Sequence, residues 1–246
     1  MDHEILHRPS EAMVTITLGP GEAVVAEAGA LVAHSDGVEM ETGARGGVFG
    51  SLKRMFGGES FFVNTFRAPD QGGDVSFAAP LPGDVVTEHV GDGQGELFAQ
   101  SGSFLVAGEG VEIDTKFGGA RSFLGGEGLF LLRLSGDGPV WLSSYGAIEE
   151  RQVGAGETFT VDTGHVVAFR DVQWDVRRVG GLKSTLFSGE GLVSDFTGPG
   201  TVWLQTRSPD AFVAWMAGKL PARGGTTTTH RSSGPSSGGS DFSVRF

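Results

Sequence analysis

Three glutamates occupy equivalent positions in a glycine-rich stretch that occurs three times. They are Glu59 in 56–62, Glu127 in 124–130 and Glu190 in 187–193, which gives steps of 127 − 59 = 68 and 190 − 127 = 63 residues. Such near-constant spacing indicates an internal repeat. A symmetric repeat can bring the three carboxylates together, where they would bind a cation. The alternative, which we favour, is that each carboxylate accepts backbone N–H bonds from its own turn.

Histidine is the next candidate for chemistry. The chain has six histidines, and no two have the spacing of metal ligands on one strand, so we expect no metal site. His165 is the strongest single candidate for a binding residue, with Asp162 three residues before it, because the equivalent positions of the other repeats hold Ala30 and Ser103. The alternative is a histidine that is hydrogen-bonded at a turn.

The sequence provides little support for nucleophilic catalysis or for phosphate binding. Ser143 and Ser144 lie at the end of a predicted strand, and the chain has no Gly-x-Ser-x-Gly elbow. The segment 125–128 is rich in glycine, but a glutamate and a predicted strand follow, where a phosphate-binding loop needs lysine and a helix. We therefore predict no catalytic residue and no cofactor.

A short basic segment distinguishes the first repeat. The interval between corresponding glycines is 58 − 46 = 12 residues there, against 126 − 118 = 8 and 189 − 180 = 9 in the others. The extra residues include Lys53 and Arg54 among large apolar side chains. This segment can contact an anionic ligand, a membrane surface or a protein partner, although it is too short for strong interfacial binding by itself. The alternative is a helical turn with its cations in solvent.

Composition limits the class of protein. With 30 acidic and 18 basic residues the formal charge is −12, which disfavours nucleic acids and anionic membranes. Cysteine is absent, so disulfides and thiolate chemistry are excluded. No apolar run is long enough for a transmembrane helix, and the start lacks the pattern of a secretory signal. We expect a cytoplasmic protein.

The repeat predicts the organisation of the fold. After a lead-in (1–11), three units follow at about 12–83, 84–147 and 148–207, and each has five or six short strands separated by glycine turns in the same order. A unit of this size built only of strands cannot cover both faces of its sheet. We therefore predict that the units pack around a common core, with pseudo-threefold symmetry, as one all-β domain over 12–220.

The end of the chain has a different pattern. Ser208 and Pro209 form a helix start signal, and Phe212, Trp215 and Met216 follow at helical spacing, which predicts a helix over 209–218 that docks an apolar face on the sheet. Glycine, serine and threonine dominate the segment after residue 221. Such a segment buries too little apolar area to offset its ordering entropy, so we predict a disordered tail over 221–246.

Four separated stretches, 57–62, 142–148, 161–169 and 198–207, resemble the altered-inheritance-of-mitochondria-24 family in the family's own order. The resemblance covers about residues 10–218. It implies a fold like that of the tryptophan RNA-binding attenuation protein, a short variant of the double-stranded β-helix that assembles into rings or trimers. It also implies no defined activity, because the prokaryotic members have none agreed, and the fungal mitochondrial member is linked to inner-membrane organisation.

Taken together, these observations favour a non-enzymatic, cytoplasmic β scaffold or binding module that associates with itself, with a trimer among the expected forms. The alternative is a small-molecule or metal-dependent binder or enzyme with a site near His165 or the repeat glutamates. RNA binding is disfavoured, because the chain has no repeated pattern of basic and aromatic residues.

Overall fold

Within the residues that the structure describes, the chain folds into short antiparallel strands and one short α-helix, which confirms the predicted all-β class. The computed structural model describes residues 1–42, 54–56, 59–114, 130–179 and 192–220, and of 54–56 and 59–60 it describes the backbone alone. The predicted disordered tail lies outside these residues.

Strands form where apolar and polar residues alternate or where β-branched and aromatic residues cluster. The lead-in and unit 1 contain β1 Asp2–Leu6, β2 Met13–Leu18, β3 Ala23–Glu27, β4 Leu31–His34, β5 Glu39–Thr42, β6 Arg54–Phe56, β7 Glu59–Phe61, β8 Val63–Arg67 and β9 Gly73–Ala78. Unit 2 contains β10 Val85–Val90, β11 Leu97–Gln100, β12 Phe104–Gly108, β13 Val111–Asp114, β14 Leu131–Gly136 and β15 Gly138–Ser143. Unit 3 contains β16 Ile148–Val153, β17 Thr158–Asp162, β18 Val166–Arg170, β19 Gln173–Arg178, β20 Leu192–Thr197 and β21 Gly200–Gln205.

The three units share one pairing scheme. In each, the last strand pairs with the first and with the third, as in β2·β9·β4, β10·β15·β12 and β16·β21·β18. The strand before the last pairs with the second and the fourth, as in β3·β8·β5, β11·β14·β13 and β17·β20·β19. Every unit therefore contributes two three-stranded halves to the sheets.

These halves build four layers. Layer 1 has the order β1-β2-β9-β4, layer 2 β10-β15-β12-β3-β8-β5, layer 3 β13-β14-β11-β18-β21-β16 and layer 4 β17-β20-β19. Each central layer joins one half of a unit to one half of the next, through the pairs β3·β12 and β11·β18, which we call the unit junctions. The outer layers are single halves, and layer 1 also carries β1.

Apolar side chains fill the spaces between successive layers. In β2, Val14, Ile16 and Leu18 face inward and are buried, while Thr15 and Thr17 alternate outward. They pack with residues of layer 2 such as Val24 and Trp141 in the first core. A second core lies between layers 2 and 3, and a third between layers 3 and 4. Since layers 2 and 3 are covered on both faces, β12 and β18 are buried at every position.

The lead-in is tied to the sheets rather than separate from them. Strand β1 pairs along its whole length with β2. Beyond it, Arg8 reaches the buried carboxylate of Asp84 in unit 2 with two hydrogen bonds, Nε to Oδ1 at 2.7 Å and Nη2 to Oδ2 at 2.9 Å. The bidentate geometry matches a guanidinium to a carboxylate.

The helix α1, Pro209–Ala217, begins where its start signal predicts. The side chain of Ser208 accepts a hydrogen bond from the backbone N–H of Ala211 at 3.3 Å, and proline stands at the first helical position. The expected docking of an apolar face on the sheet is only partly observed. Phe212 contacts Tyr145, with ring centroids 5.8 Å apart, but no residue of α1 is fully buried.

We predict that Arg8→Ala lowers the free energy of unfolding by about 2 kcal/mol, because it removes two charge-assisted hydrogen bonds from the Asp84 carboxylate and leaves it the bond from the Val85 N–H. The Asp84 side chain is 4% exposed in the folded protein, so the loss falls on a poorly hydrated charge. Urea titration at pH 7 measures the change. Arg151→Ala is the matched control: its ion pair with Glu157 is exposed on both sides, and its loss should cost clearly less than the loss of Arg8. Equal effects of the two substitutions would contradict the prediction.

Candidate functional site

Two strands lie at the edges of the outer layers without the partner that their counterparts have. At the unit junctions, the second strand of one unit pairs with the third strand of the next. This rule leaves the third strand of unit 1 and the second strand of unit 3, which are β4 and β17. No strand of the described residues pairs with their outer sides. We call them the terminal edges.

Strand β4 is equivalent to the buried strands β12 and β18. All three have a pairing irregularity at the same place, between Leu31 and Ala33 in β4, between Phe104 and Val106 in β12 and between Val166 and Ala168 in β18. These common irregularities align the three strands residue by residue.

Exposure separates β4 from its counterparts. Leu105 and Val167 are 0% exposed, because each enters the core of the preceding unit, whereas the equivalent Val32 is 55% exposed. Burial of an aliphatic side chain such as valine stabilises a fold or a complex by about 1.5–3 kcal/mol. The terminal edge at β4 thus presents an interior position to solvent.

Charge also distinguishes the terminal edge at β4. Every other outer strand of the described layers, namely β1, β5, β10, β13, β16, β17 and β19, carries at least one Asp or Glu. Charged residues on an outer strand discourage pairing with another chain. Strand β4 has no acidic residue, and the single acid of β17 is its last residue, Asp162. Among these outer strands, β4 is therefore the least protected by acidic residues against strand addition.

A 3₁₀ turn, Thr163–His165, follows β17, and the two predicted binding residues flank it, Asp162 as the last residue of β17 and His165 as the last residue of the turn. The Asp162 carboxylate accepts a hydrogen bond from the Gly164 N–H at 2.8 Å, and His165 Nδ1 lies 2.8 Å from the carbonyl oxygen of Gln205. The Gln205 amide donates to the Gly164 carbonyl at 2.8 Å and accepts from the Tyr145 N–H at 2.8 Å. Both predicted residues thus have backbone partners, an arrangement that fixes the turn; ligand binding there stays a prediction.

The other predicted site residues are not brought together within the described part of the chain. Arg54 is in β6 and Glu59 in β7, and these two strands form a hairpin in which Glu59 lies opposite Phe56. Their side chains, and all of Lys53, Glu127 and Glu190, lie outside the described residues. The convergence of the glutamates and the contact through Lys53 and Arg54 stay predictions.

Sequence reasoning missed a buried ion pair between layers 2 and 3. Arg170 Nη2 donates to the His89 carbonyl at 2.7 Å and lies 3.8 Å from Glu88 Oε2, and its guanidinium lies over the Trp203 ring. Burial raises the pKa of Glu88, and the neighbouring Arg170 opposes that shift. An arginine directly after the apolar run 166–169 was the available signal. These contacts join unit 2 to unit 3.

Glu27 is a second, half-buried acid that sequence reasoning missed. It ends β3, at the position that Gln100 and Asp162 hold in units 2 and 3, each just before its turn. Burial raises the pKa of Glu27 to about 7, because a charged carboxylate is poorly solvated there.

The described residues contain neither a cluster of metal ligands nor a membrane-spanning helix. Across the described ranges, no three His, Cys, Asp or Glu side chains are grouped so as to hold a metal ion. No described helix is both long and apolar enough to cross a membrane.

The chain is similar to known proteins both in sequence and in fold. A family model described as Mitochondrial biogenesis AIM24 matches residues 3–207. An uncharacterised protein of Streptococcus pyogenes serotype M6 is 29% identical over 219 residues, which is 85% of this chain and 87% of that protein. The crystal structure of a Streptococcus pyogenes protein is similar with a TM-score of 0.74 and 27% identity, over 89% of this chain and 99% of that one.

We predict that Glu27→Gln stabilises the protein at pH 8 and changes its stability little at pH 5. Because the folded-state pKa lies above the ordinary value of 4.5, the stability that the protonated carboxyl contributes is complete below pH 4.5 and is lost as the pH rises through about 7. The gain at pH 8 should be about 2 kcal/mol, allowing for residual solvent contact. Urea titration at both pH values measures it.

Glu157→Gln is the matched control with the opposite sign. The Gly154 N–H and Arg151 lower the pKa of Glu157, so its contribution is present at neutral pH and is lost as the pH falls through that lowered pKa. This substitution should destabilise at pH 8. A Glu27→Gln effect that is the same at pH 5 and pH 8 would refute the role of burial.

Proposed function

The chain belongs to the AIM24 family, and from this premise we propose that it is a non-enzymatic, cytoplasmic β scaffold that associates head to tail with further copies of itself. The observation that carries the proposal is the pair of terminal edges. Membership of the family adds no chemistry, because the similar streptococcal protein is itself uncharacterised. The net charge of −12 is compatible with solubility at high concentration.

The two outer layers complement each other. Layer 2 consists of the half β10-β15-β12 joined to the half β3-β8-β5, and layer 3 repeats that order with the next two units. Layer 1 supplies the half β2-β9-β4, and layer 4 supplies the half β17-β20-β19. Pairing β4 of one copy with β17 of another therefore creates a sheet with the same strand order as the two central layers.

The internal junctions predict the register of that pairing. Ala107 lies opposite Val25 at one junction, and Phe169 lies opposite Phe98 at the other. The equivalent residues are His34 in β4 and Thr160 in β17. His34 of one copy should therefore lie opposite Thr160 of the next.

Pairing would also bury the Val32 side chain and satisfy backbone groups on the outer side of β4, where no described strand pairs. At the register of the internal junctions, Val32 enters the third core of the neighbouring copy, as Leu105 enters the first core and Val167 the second. Burial of this side chain and the new backbone hydrogen bonds both favour association.

The contact is head to tail, so it uses two different surfaces of each copy. Repetition of such a contact gives a closed ring when the rotation per copy closes, and a filament when it does not. The ring-forming fold that the family resemblance implies leads us to propose a ring, with three copies as its smallest symmetric form beyond the dimer.

We predict that Val32→Asp produces a monomer. A buried charge at the junction costs several kcal/mol without a partner, whereas the same residue in the monomer is solvated, so folding is unaffected. Light scattering over a concentration series measures the mass. Met40→Asp is the matched control, because Met40 is 52% exposed but lies on the charged outer strand β5. A wild-type mass of 25.6 kDa at every concentration would defeat the proposal.

We further predict that the double variant His34→Cys/Thr160→Cys forms disulfides between copies. Directly opposite residues of an antiparallel pair lie within the Cα–Cα range that a disulfide requires. The wild-type chain has no cysteine, so no other thiol competes. Non-reducing electrophoresis measures the products. In the control Ala33→Cys/Thr160→Cys, a shift of one residue places the side chains on opposite faces, and cross-linking should fail. Cross-linking of both variants alike would overturn the register.

A further inference from the structure

The helix α1 presents an uncovered apolar surface. Its exposed side chains include Val213 at 62%, Trp215 at 61% and Met216 at 42%, and Leu220 just beyond the helix is 66% exposed. Trp215 stacks on Phe212 of the same helix, with ring centroids 6.3 Å apart and planes 19° apart. Four large apolar residues exposed within the eight residues 213–220 of an acidic protein are a candidate for a protein contact. We call these four residues the α1 surface.

Contacts at its start hold α1 in place. Gly164 of the 3₁₀ turn lies so close to Ser208 that a Cβ at residue 164 would be 2.6 Å from the Ser208 hydroxyl oxygen. Phe212 packs against Tyr145, and the Tyr145 N–H donates to Gln205, which also holds the turn. The α1 surface is therefore attached to the turn that follows β17.

The position of that turn decides what α1 faces. In each unit a turn connects the end of the second strand to the start of the third. At each internal junction these two strand ends are paired, Ala26 with Val106 and Ala99 with Ala168. The antiparallel register therefore brings the turn of one unit beside the turn of the next. At a junction between copies, the turn 163–165 of one copy therefore lies beside the turn 28–30 of the next.

The turn 28–30 carries an exposed aromatic side chain. Phe62 is 45% exposed, and its carbonyl accepts the Ala28 N–H at 2.9 Å, which ties it to this turn. In unit 2 the equivalent Phe130, whose carbonyl accepts the Ser101 N–H at 2.8 Å, is half-buried against the second core. Ala28 and Gly29 are exposed and small, so they leave space beside Phe62.

We propose that the α1 surface packs on Phe62 and the turn 28–30 of the next copy, so that the helix straps each junction between copies. The inference rests on the proposed self-association and assigns it a second, apolar contact beside the paired strands. It requires no covering partner of another kind, since both exposed surfaces belong to this chain. Trp215, as a large aromatic residue near the centre of this contact, is its expected anchor.

The first test is the dissociation constant of the assembly, measured by mass photometry and light scattering on dilution. Trp215→Ala should raise it about 30-fold, the effect of a typical anchor residue, without changing the melting temperature of the fully dissociated protein. Met40→Ala is the matched control, since it removes a comparably exposed apolar side chain outside the junction, and it should have no effect. An unchanged constant in Trp215→Ala overturns the inference.

The second test is cross-linking of the double variant Phe62→Cys/Trp215→Cys under mild oxidation. We expect a disulfide between copies, and none in the control Met40→Cys/Trp215→Cys. A disulfide within one copy, or none while the assembly persists, overturns the strap and leaves the strand pairing intact. Binding of the wild type to phosphatidylcholine vesicles that Trp215→Ala abolishes, with an unchanged dissociation constant, would instead assign α1 to a lipid surface. A monomeric wild type defeats the proposed function itself.

Discussion

The pairing of the second strand of one unit with the third strand of the next is the constraint on which the rest of the structure depends. A three-stranded half cannot cover a core on both sides, so each unit shares a sheet with its neighbour. At both internal junctions this places β12 and β18 between two cores, fully buried. The same rule necessarily leaves one unpaired strand at each end of a linear chain of units. The proposed self-association would continue these sheets into another copy.

Polar side chains also link the units, and their contacts fix the relative position of the layers more specifically than apolar burial alone. Arg8 joins the lead-in to Asp84, and Arg170 joins β18 to the carbonyl of His89 across layers. Arg67 and Glu109 form a further ion pair from unit 1 to unit 2, at the surface. Buried polar groups of this kind are costly when unpaired, so each disfavours a shifted arrangement of its layers. Burial alone shifts the pKa of Glu27. At neutral pH this carboxylate therefore destabilises the junction between units 1 and 2, where β3 lies.

The turn after β17 illustrates how a residue that is unique among repeats can have a structural role. His165 stands where Ala30 and Ser103 stand in the other units, which made it a candidate for binding. In the structure it lies within hydrogen-bonding distance of the Gln205 carbonyl, at the base of α1. Unit 3 differs from the others because α1 follows it, and the helix needs a fixed turn to start from. The departure from the repeat therefore accompanies α1, which has no counterpart among the described residues of the other units.

Sequence by itself determined the family, the all-β class, the recurrence of strands and turns, and the start of α1 at Ser208, because alternation, glycine turns and capping are local signals. It could not show that the outer side of β4 has no partner among the described strands while β12 and β18 are buried, since the three strands have similar apolar sequences and differ in their place in the array. Nor could it show that Arg170 and Glu88 would meet, because 170 − 88 = 82 residues separate them along the chain. It also could not show that Trp215 and Met216 would remain exposed. Those outcomes depend on which layer covers which, and only the tertiary structure decides that.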